Sequence, residues 1–300
     1  MPDYDRQNLV ILGGVLGLQL ALLWFASTAS GIAFVVAALL FAYTGLTVYA
    51  LMHEAIHENL HSNPRVNYFA GCLVSLLFPV SFTFMQVPHE VHHRNNRTNH
   101  EMFDYYYPED NLLIKYAQWY SILIGIYPPI IPVGSLLMAV VPGVFRLSPW
   151  RRARSSSIIF DDGLFTPAVI QRIRREVLVG IVFWVLVVQL LNISWTALLV
   201  LFAAFWVNWS TRQYVTHAFS PRDVRDGAWN LSVSPIMERV LLNGHWDLVH
   251  HQHPGLRWQE LPGGGRYSRP PIPYWRQYLS LWGGPRPNTE AAPTALANVE

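Results

Sequence analysis

Eight of the twelve histidines in this 300-residue chain fall in three short clusters. The clusters read HEAIH (His53, His57), HEVHH (His89, His92, His93) and LVHHQH (His250, His251, His253). Imidazole is a poor group to bury among apolar side chains without a partner, and a good ligand for iron, zinc, copper or nickel. Each cluster lies at the end of an apolar stretch. Ionisable residues inside or at the edge of a membrane segment are functional candidates by default. The residues therefore point to a histidine-ligated metal site at a membrane boundary.

The spacings carry geometry. His53 and His57, at i and i+4, share one helix face one turn apart. His89, His92 and His93, at i, i+3 and i+4, project to one side of a helix within a turn. In the third cluster Asp247 stands three residues before His250, so Asp247, His250 and His251 repeat the second pattern with a carboxylate in its first place. His245 competes with Asp247, but five residues is about 140° round a straight helix and would require a break. His217 stands alone in RQYVTHAFSPRD, just beyond an apolar run, and joins the candidates by position. His61, His100 and His253 flank the clusters and are expected not to be ligands. Glu54, Glu58, Glu90, Asn99, Glu101 and Asp104 are candidates to orient the rings as hydrogen-bond partners. A solvated polar helix face accounts for each of them equally well.

HEAIH also fits the H-E-x-x-H zinc protease motif, with Glu54 as general base. That reading needs one further ligand and leaves two histidine clusters without a role. A third reading is a metal-binding or metal-transporting membrane protein without catalysis.

The elements that must position these groups are apolar. The chain is 52% hydrophobic and only 13% charged, about half the charge share of a soluble domain. Its net charge of +2 gives no reason to expect nucleic acid. The single cysteine, Cys72, excludes an intrachain disulfide and cysteine-ligated clusters. MPDYDRQN and the long run after it do not resemble a cleavable signal peptide. Runs long enough to approach the roughly 20 residues of a membrane helix are Leu9–Ala29, Gly31–Leu51, Val177–Leu191 and Trp195–Trp209. Short turns join them into two hairpins. Residues 1–262 read as one all-α membrane domain with about four spans. Residues 263–300 are rich in Gly, Pro and Arg and read as loop or disorder.

Both hairpin turns lack arginine. Arg65, Arg94, Arg97, Arg146, Arg151, Arg152, Arg154, Arg172, Arg174, Arg175, Arg212, Arg222 and Arg225 lie around the histidine clusters. The positive-inside rule places that face, and both termini, in the cytoplasm. A parity constraint follows. Tyr68–Val87 is long enough to cross only once, which would part His57 from His89. It must lie in the interface or turn back, with Pro79 in its middle. The same reasoning makes Leu112–Phe145, broken by Pro128, Pro129 and Pro132, interfacial, re-entrant or a tight double pass.

Taken together, HEAIH, HEVHH and the Asp247–His250–His251 box resemble the three histidine boxes of the integral-membrane fatty acid desaturase and hydroxylase superfamily. Thr98 and Asn99 after the second box and the RWQELP run after the third agree with it. The resemblance covers roughly Gly31 to Pro262. It implies about four membrane helices under a cytoplasmic histidine cap and two non-haem irons. The ligands it implies are His53, His57, His89, His92, His93, His217, His250 and His251. Asp247 stands where the family usually has histidine. The implied reaction is O2-dependent oxidation of a fatty acyl chain, desaturation first, with hydroxylation, acetylenation and alkene-forming decarboxylation as variants. The chain holds no electron-transfer domain, so a separate ferredoxin- or cytochrome-type donor is implied. If the source is bacterial, the location is the inner or plasma membrane.

Overall fold

The computed structural model describes residues 3–146, 163–265 and 268–297. Arg151, Arg152 and Arg154 lie outside them. Helix α1 (Tyr4–Thr28) starts at Asp3, whose side chain accepts from the Arg6 N–H. Ala29 and Ser30 break the run, and Gly31 turns the chain at φ +57° into α2 (Gly31–Ile56). These are the two described helices both long and apolar enough to cross a membrane.

The second expected hairpin is α7 (Pro167–Leu190) and α8 (Trp195–Gln213), which close through Asn192 at φ +49° and a Ser194 cap on the Ala197 N–H. Both helices extend past the apolar runs that mark them in sequence. Helix α7 begins ten residues before Val177, because Arg172, Arg174, Arg175 and Glu176 continue the helix while breaking its apolar character. Helix α8 gains Arg212 and Gln213 in the same way.

Helix α2 is the central strut and packs against α1, α8 and α3. Gly45 lets α8 approach closely: a Cβ there would stand 2.3 Å from the Phe205 ring. Phe41, Phe78, Phe202, Phe205 and Trp209 fill the space around it with edge-to-face contacts. Away from this core, Trp24, Ile32, Leu39, Val179, Leu190 and Leu199 are exposed. Apolar side chains on outer faces as well as inner ones are what a lipid-facing helix requires.

Between the hairpins, α3 (Pro64–Leu77) and α4 (Phe82–Asn95) meet at a bend of 101° over Phe78–Ser81. Asn63 and Ser81 cap their starts. Glu176 of α7 fixes the bend, accepting from Tyr68 Oη (2.8 Å), Ser81 Oγ (2.6 Å), the Thr83 N–H (2.9 Å) and Thr83 Oγ1 (2.6 Å). Helices α5 (Leu112–Leu123) and α6 (Ile130–Val140) divide the next apolar stretch at Pro128–Pro129, while Pro132 is accommodated inside α6. Short helices α9 (Pro235–Val240), α10 (Asp247–Gln252) and α11 (Leu261–Gly264) follow α8.

The tail differs from the loop expected of it. Helix α12 (Tyr274–Leu281) buries Tyr274, Gln277 and Leu281. Two parallel pairings strap the tail to the body: β1 (Tyr105–Tyr106) with β4 (Arg286–Pro287), and β2 (Leu231–Ser232) with β3 (Ile272–Pro273). Flanking Pro and Gly hide an eight-residue helix from a composition reading.

Candidate metal centre

Three elements bring the clusters together. The last turn of α2 carries His53, and His57 caps it. Helix α4 carries His89, His92 and His93 in its last two turns. Helix α10 carries His250 and His251, and is held by Asn230, whose Oδ1 accepts from the Val249 N–H. His217 sits in the turn after α8.

The side chains form two groups. His53, His57, His89, His93 and His250 offer ligand nitrogens that all lie within 4.8 Å of one another. His92, His217 and His251 form the second group on the same measure. The groups adjoin, with the His93 and His251 rings stacked 4.5 Å apart. His57 and His89 meet Nε2 to Nε2 at 2.7 Å, so Tyr68–Val87 does not part the first two clusters. His89 to His93 and His93 to His250 are each 3.1 Å.

Four Nε2 atoms in sequence at 2.7–3.1 Å fit a shared cation better than a hydrogen-bonded chain. A neutral imidazole carries one N–H, so such a chain leaves lone pairs facing each other. Ligands about 2.1 Å from one ion and at right angles stand about 3 Å apart. Unpaired buried atoms agree: among the described residues, His251 Nδ1, Glu101 Oε1 and Asp247 Oδ2 have no hydrogen-bond partner. The residues present therefore fit a metal centre.

Asp247 and His245 separate clearly in space. Asp247 Oδ2 is 3.1 Å from His217 Nε2, at the edge of the second group. Burial pushes its carboxyl up to about 6, against the Thr216 hydrogen bond and the nearby His92. A bound cation would reverse that shift. His245 is buried, but belongs to neither group among the described residues. Burial and neighbouring rings hold His217, His250 and His251 well below the ordinary histidine range, hence neutral and ready to bind a metal.

Of the two orienting partners, Glu101 is one that the sequence names and the Gly227 carbonyl is not. Glu101 Oε2 is 3.2 Å from His92 Nδ1. The Gly227 carbonyl is 3.2 Å from His217 Nδ1, which leaves Nε2 to face Asp247. Glu54 is buried and accepts the Trp258 N–H, joining α2 to the loop after α10. Glu90 is exposed, and exposed Asn99 accepts from Arg222. Asp104 is fully buried against Arg97 (2.8 Å) and Tyr214 (3.1 Å), bracing the loop rather than a ring. Nothing in the spacing marks Glu101 over Glu90, and the Gly227 carbonyl has no side-chain signal at all.

The centre opens on a cavity of about 630 Å³. Around His53, His89, His92, His217 and His250 its walls are apolar, from Leu46 and Ala50 to Phe84, Ile130, Ile131 and Leu137. That volume suits a small-molecule ligand.

Helices with apolar outer faces, a cage of histidines fit for a metal and an apolar cavity suit a membrane enzyme with a hydrocarbon substrate. The chain belongs to the fatty acid desaturase family, whose profile matches residues 29–282. It is thus an integral membrane oxidoreductase of that superfamily, acting on a fatty acyl substrate with an electron donor. A comparison with curated proteins gives no match.

Proposed function

We propose that this protein is an O2-dependent di-iron fatty acyl oxidase whose reaction is desaturation. Joining of all three boxes in two adjoining histidine groups carries the reading. His53, His57, His89, His93 and His250 would hold one iron; His92, His217 and His251, with Asp247 beside them, would hold the other. Two irons bound there would supply, with O2 and two electrons, the strong oxidant that an unactivated C–H bond demands.

The chain's own residues do the rest. The apolar cavity holds the hydrocarbon beside the cage and keeps water from it. Glu101 and the Gly227 carbonyl fix the ring orientation of His92 and His217. Electrons come from a separate ferredoxin- or cytochrome-type protein, for which the arginine-rich face is a dock. Helices α1, α2, α7 and α8 are four spans, with the metal centre and both termini cytoplasmic. Arginines at the histidine end, and their absence from the hairpin turns, support that orientation.

Hydroxylation, acetylenation and oxidative decarboxylation begin with the same removal of hydrogen from carbon, so the product decides between them. Mass spectrometry of lipid extracts with and without expression tests the reading. Acyl species lighter by two hydrogens are expected. Elemental analysis showing one zinc and no iron, with unchanged lipids, overturns it in favour of a zinc enzyme.

A further inference from the structure

The cavity that reaches the histidines also contains a guanidinium. Arg212, at the end of α8, is part-buried and lines the cavity together with Tyr274. Its contacts are unusual for a cation in an apolar wall. Nε donates to Asn208 Oδ1 (2.9 Å), Nη1 to Tyr274 Oη (2.9 Å) and Nη2 to Tyr43 Oη (3.3 Å). The Tyr43 and Tyr274 rings flank the guanidinium at 5.5 and 5.4 Å. Every one of these partners is neutral, and among the described residues no carboxylate pairs with Arg212.

A guanidinium has five N–H donors. Three are used, and the two that remain sit one on each Nη, the fork that takes a carboxylate or phosphate bidentately. Both tyrosine hydroxyls accept from Arg212, so their own hydrogens stay available. Among the described residues neither hydroxyl hydrogen has an acceptor. The result is four unused donors and one uncompensated positive charge. A cation even partly withdrawn from water without a counter-ion carries a cost, and an anionic ligand reduces it.

We propose that Arg212, with Tyr274 and Tyr43, is the seat for the oxyanion head group of a lipid whose hydrocarbon lies in the cavity. This rests on the acyl-chain reading above and adds the head-group class: a free acid or a phosphate-bearing lipid rather than an ester or alcohol. The seat would fix one end of the chain, and so which carbon lies at the histidines.

Displacement of a fluorescent polyene fatty acid from the purified protein in detergent tests this without turnover. Competitors are palmitate, methyl palmitate and phosphatidylglycerol. In the wild type, palmitate or phosphatidylglycerol should displace the probe about 10–100-fold better than the methyl ester. Whichever of the two does so identifies the source of the oxyanion. Arg212→Met should erase that advantage and leave ester binding unchanged. Arg212→Lys keeps the charge without the fork and should retain part of it. Tyr274→Phe should lose several-fold and serves if Arg212→Met does not fold. Equal binding of acid and ester by the wild type, or an acid preference that survives Arg212→Met, overturns the seat and leaves the acyl cavity standing. Failure of the probe to bind wild-type protein at all sinks the acyl cavity and the seat with it.

Discussion

His57 and His89 are 32 residues apart in sequence, yet their Nε2 atoms stand 2.7 Å apart. The intervening chain must leave the end of α2 and return to it, and the 101° bend between α3 and α4 makes that return. Asn63 and His100 are exposed at either side of this excursion. Cysteines placed at these two positions, in a Cys72→Ser background, should label from the same face of sealed vesicles. Labelling from opposite faces would break the single-site architecture.

The bend depends on Glu176, which accepts four hydrogen bonds from Tyr68, Ser81 and Thr83. Glu176→Gln puts an amide N–H₂ where two of those donors point. A buried donor left unmet costs about 1–3 kcal/mol. The thermal midpoint in detergent should fall, and iron content with it, because α4 carries three of the histidines. An unchanged midpoint would mean that the bend is held by packing alone.

Sequence made the histidine groups legible because i, i+3 and i+4 spacing is itself a statement about one helix face. Parity required Tyr68–Val87 to lie in the interface or turn back, and the 101° bend between α3 and α4 agrees with that. The orienting groups were not legible in the same way. Glu54, Glu90, Glu101 and Asp104 are all acids near a box, and only the loop after α4 decides that Glu101 reaches His92. Helix α12 was hidden for another reason: its burial depends on Thr211, Arg212 and Ala218, more than fifty residues away.

Glu101 and Glu54 therefore give a contrast. Glu101→Gln should lower iron affinity or turnover about 10–100-fold, as expected when a group that orients a metal-binding ring is altered. Glu54→Gln keeps an acceptor for the Trp258 N–H and should leave turnover within a few-fold. Turnover abolished by Glu54→Gln alone would revive Glu54 as a general base. Iron content and product yield on the same preparations settle both.

Gly45 is a stability probe remote from the metal. A methyl there meets the Phe205 ring at 2.3 Å, and overpacking of this kind costs about 1–3 kcal/mol. Gly45→Ala should lower the thermal midpoint, and adding Phe205→Leu should recover part of the loss. No change on Gly45→Ala would show that α2 and α8 separate more freely than their packing implies.

The third box offers two residues for one role. Asp247 repeats the helical spacing of His89 relative to His92 and His93, and its Oδ2 comes within 3.1 Å of His217 Nε2 without a hydrogen bond. Two acceptors that close need a proton or a cation between them. His245 is buried in the same cavity wall, but belongs to neither histidine group. A carboxylate is a good ligand for non-haem iron, directly or through a water, and brings a charge that imidazole lacks. Asp247→Ala should lose iron from the second group, roughly half of the total if the chain holds two, while His245→Ala keeps its iron. Asp247→His should regain part of the metal. Full iron in Asp247→Ala together with depleted iron in His245→Ala would exchange the two roles.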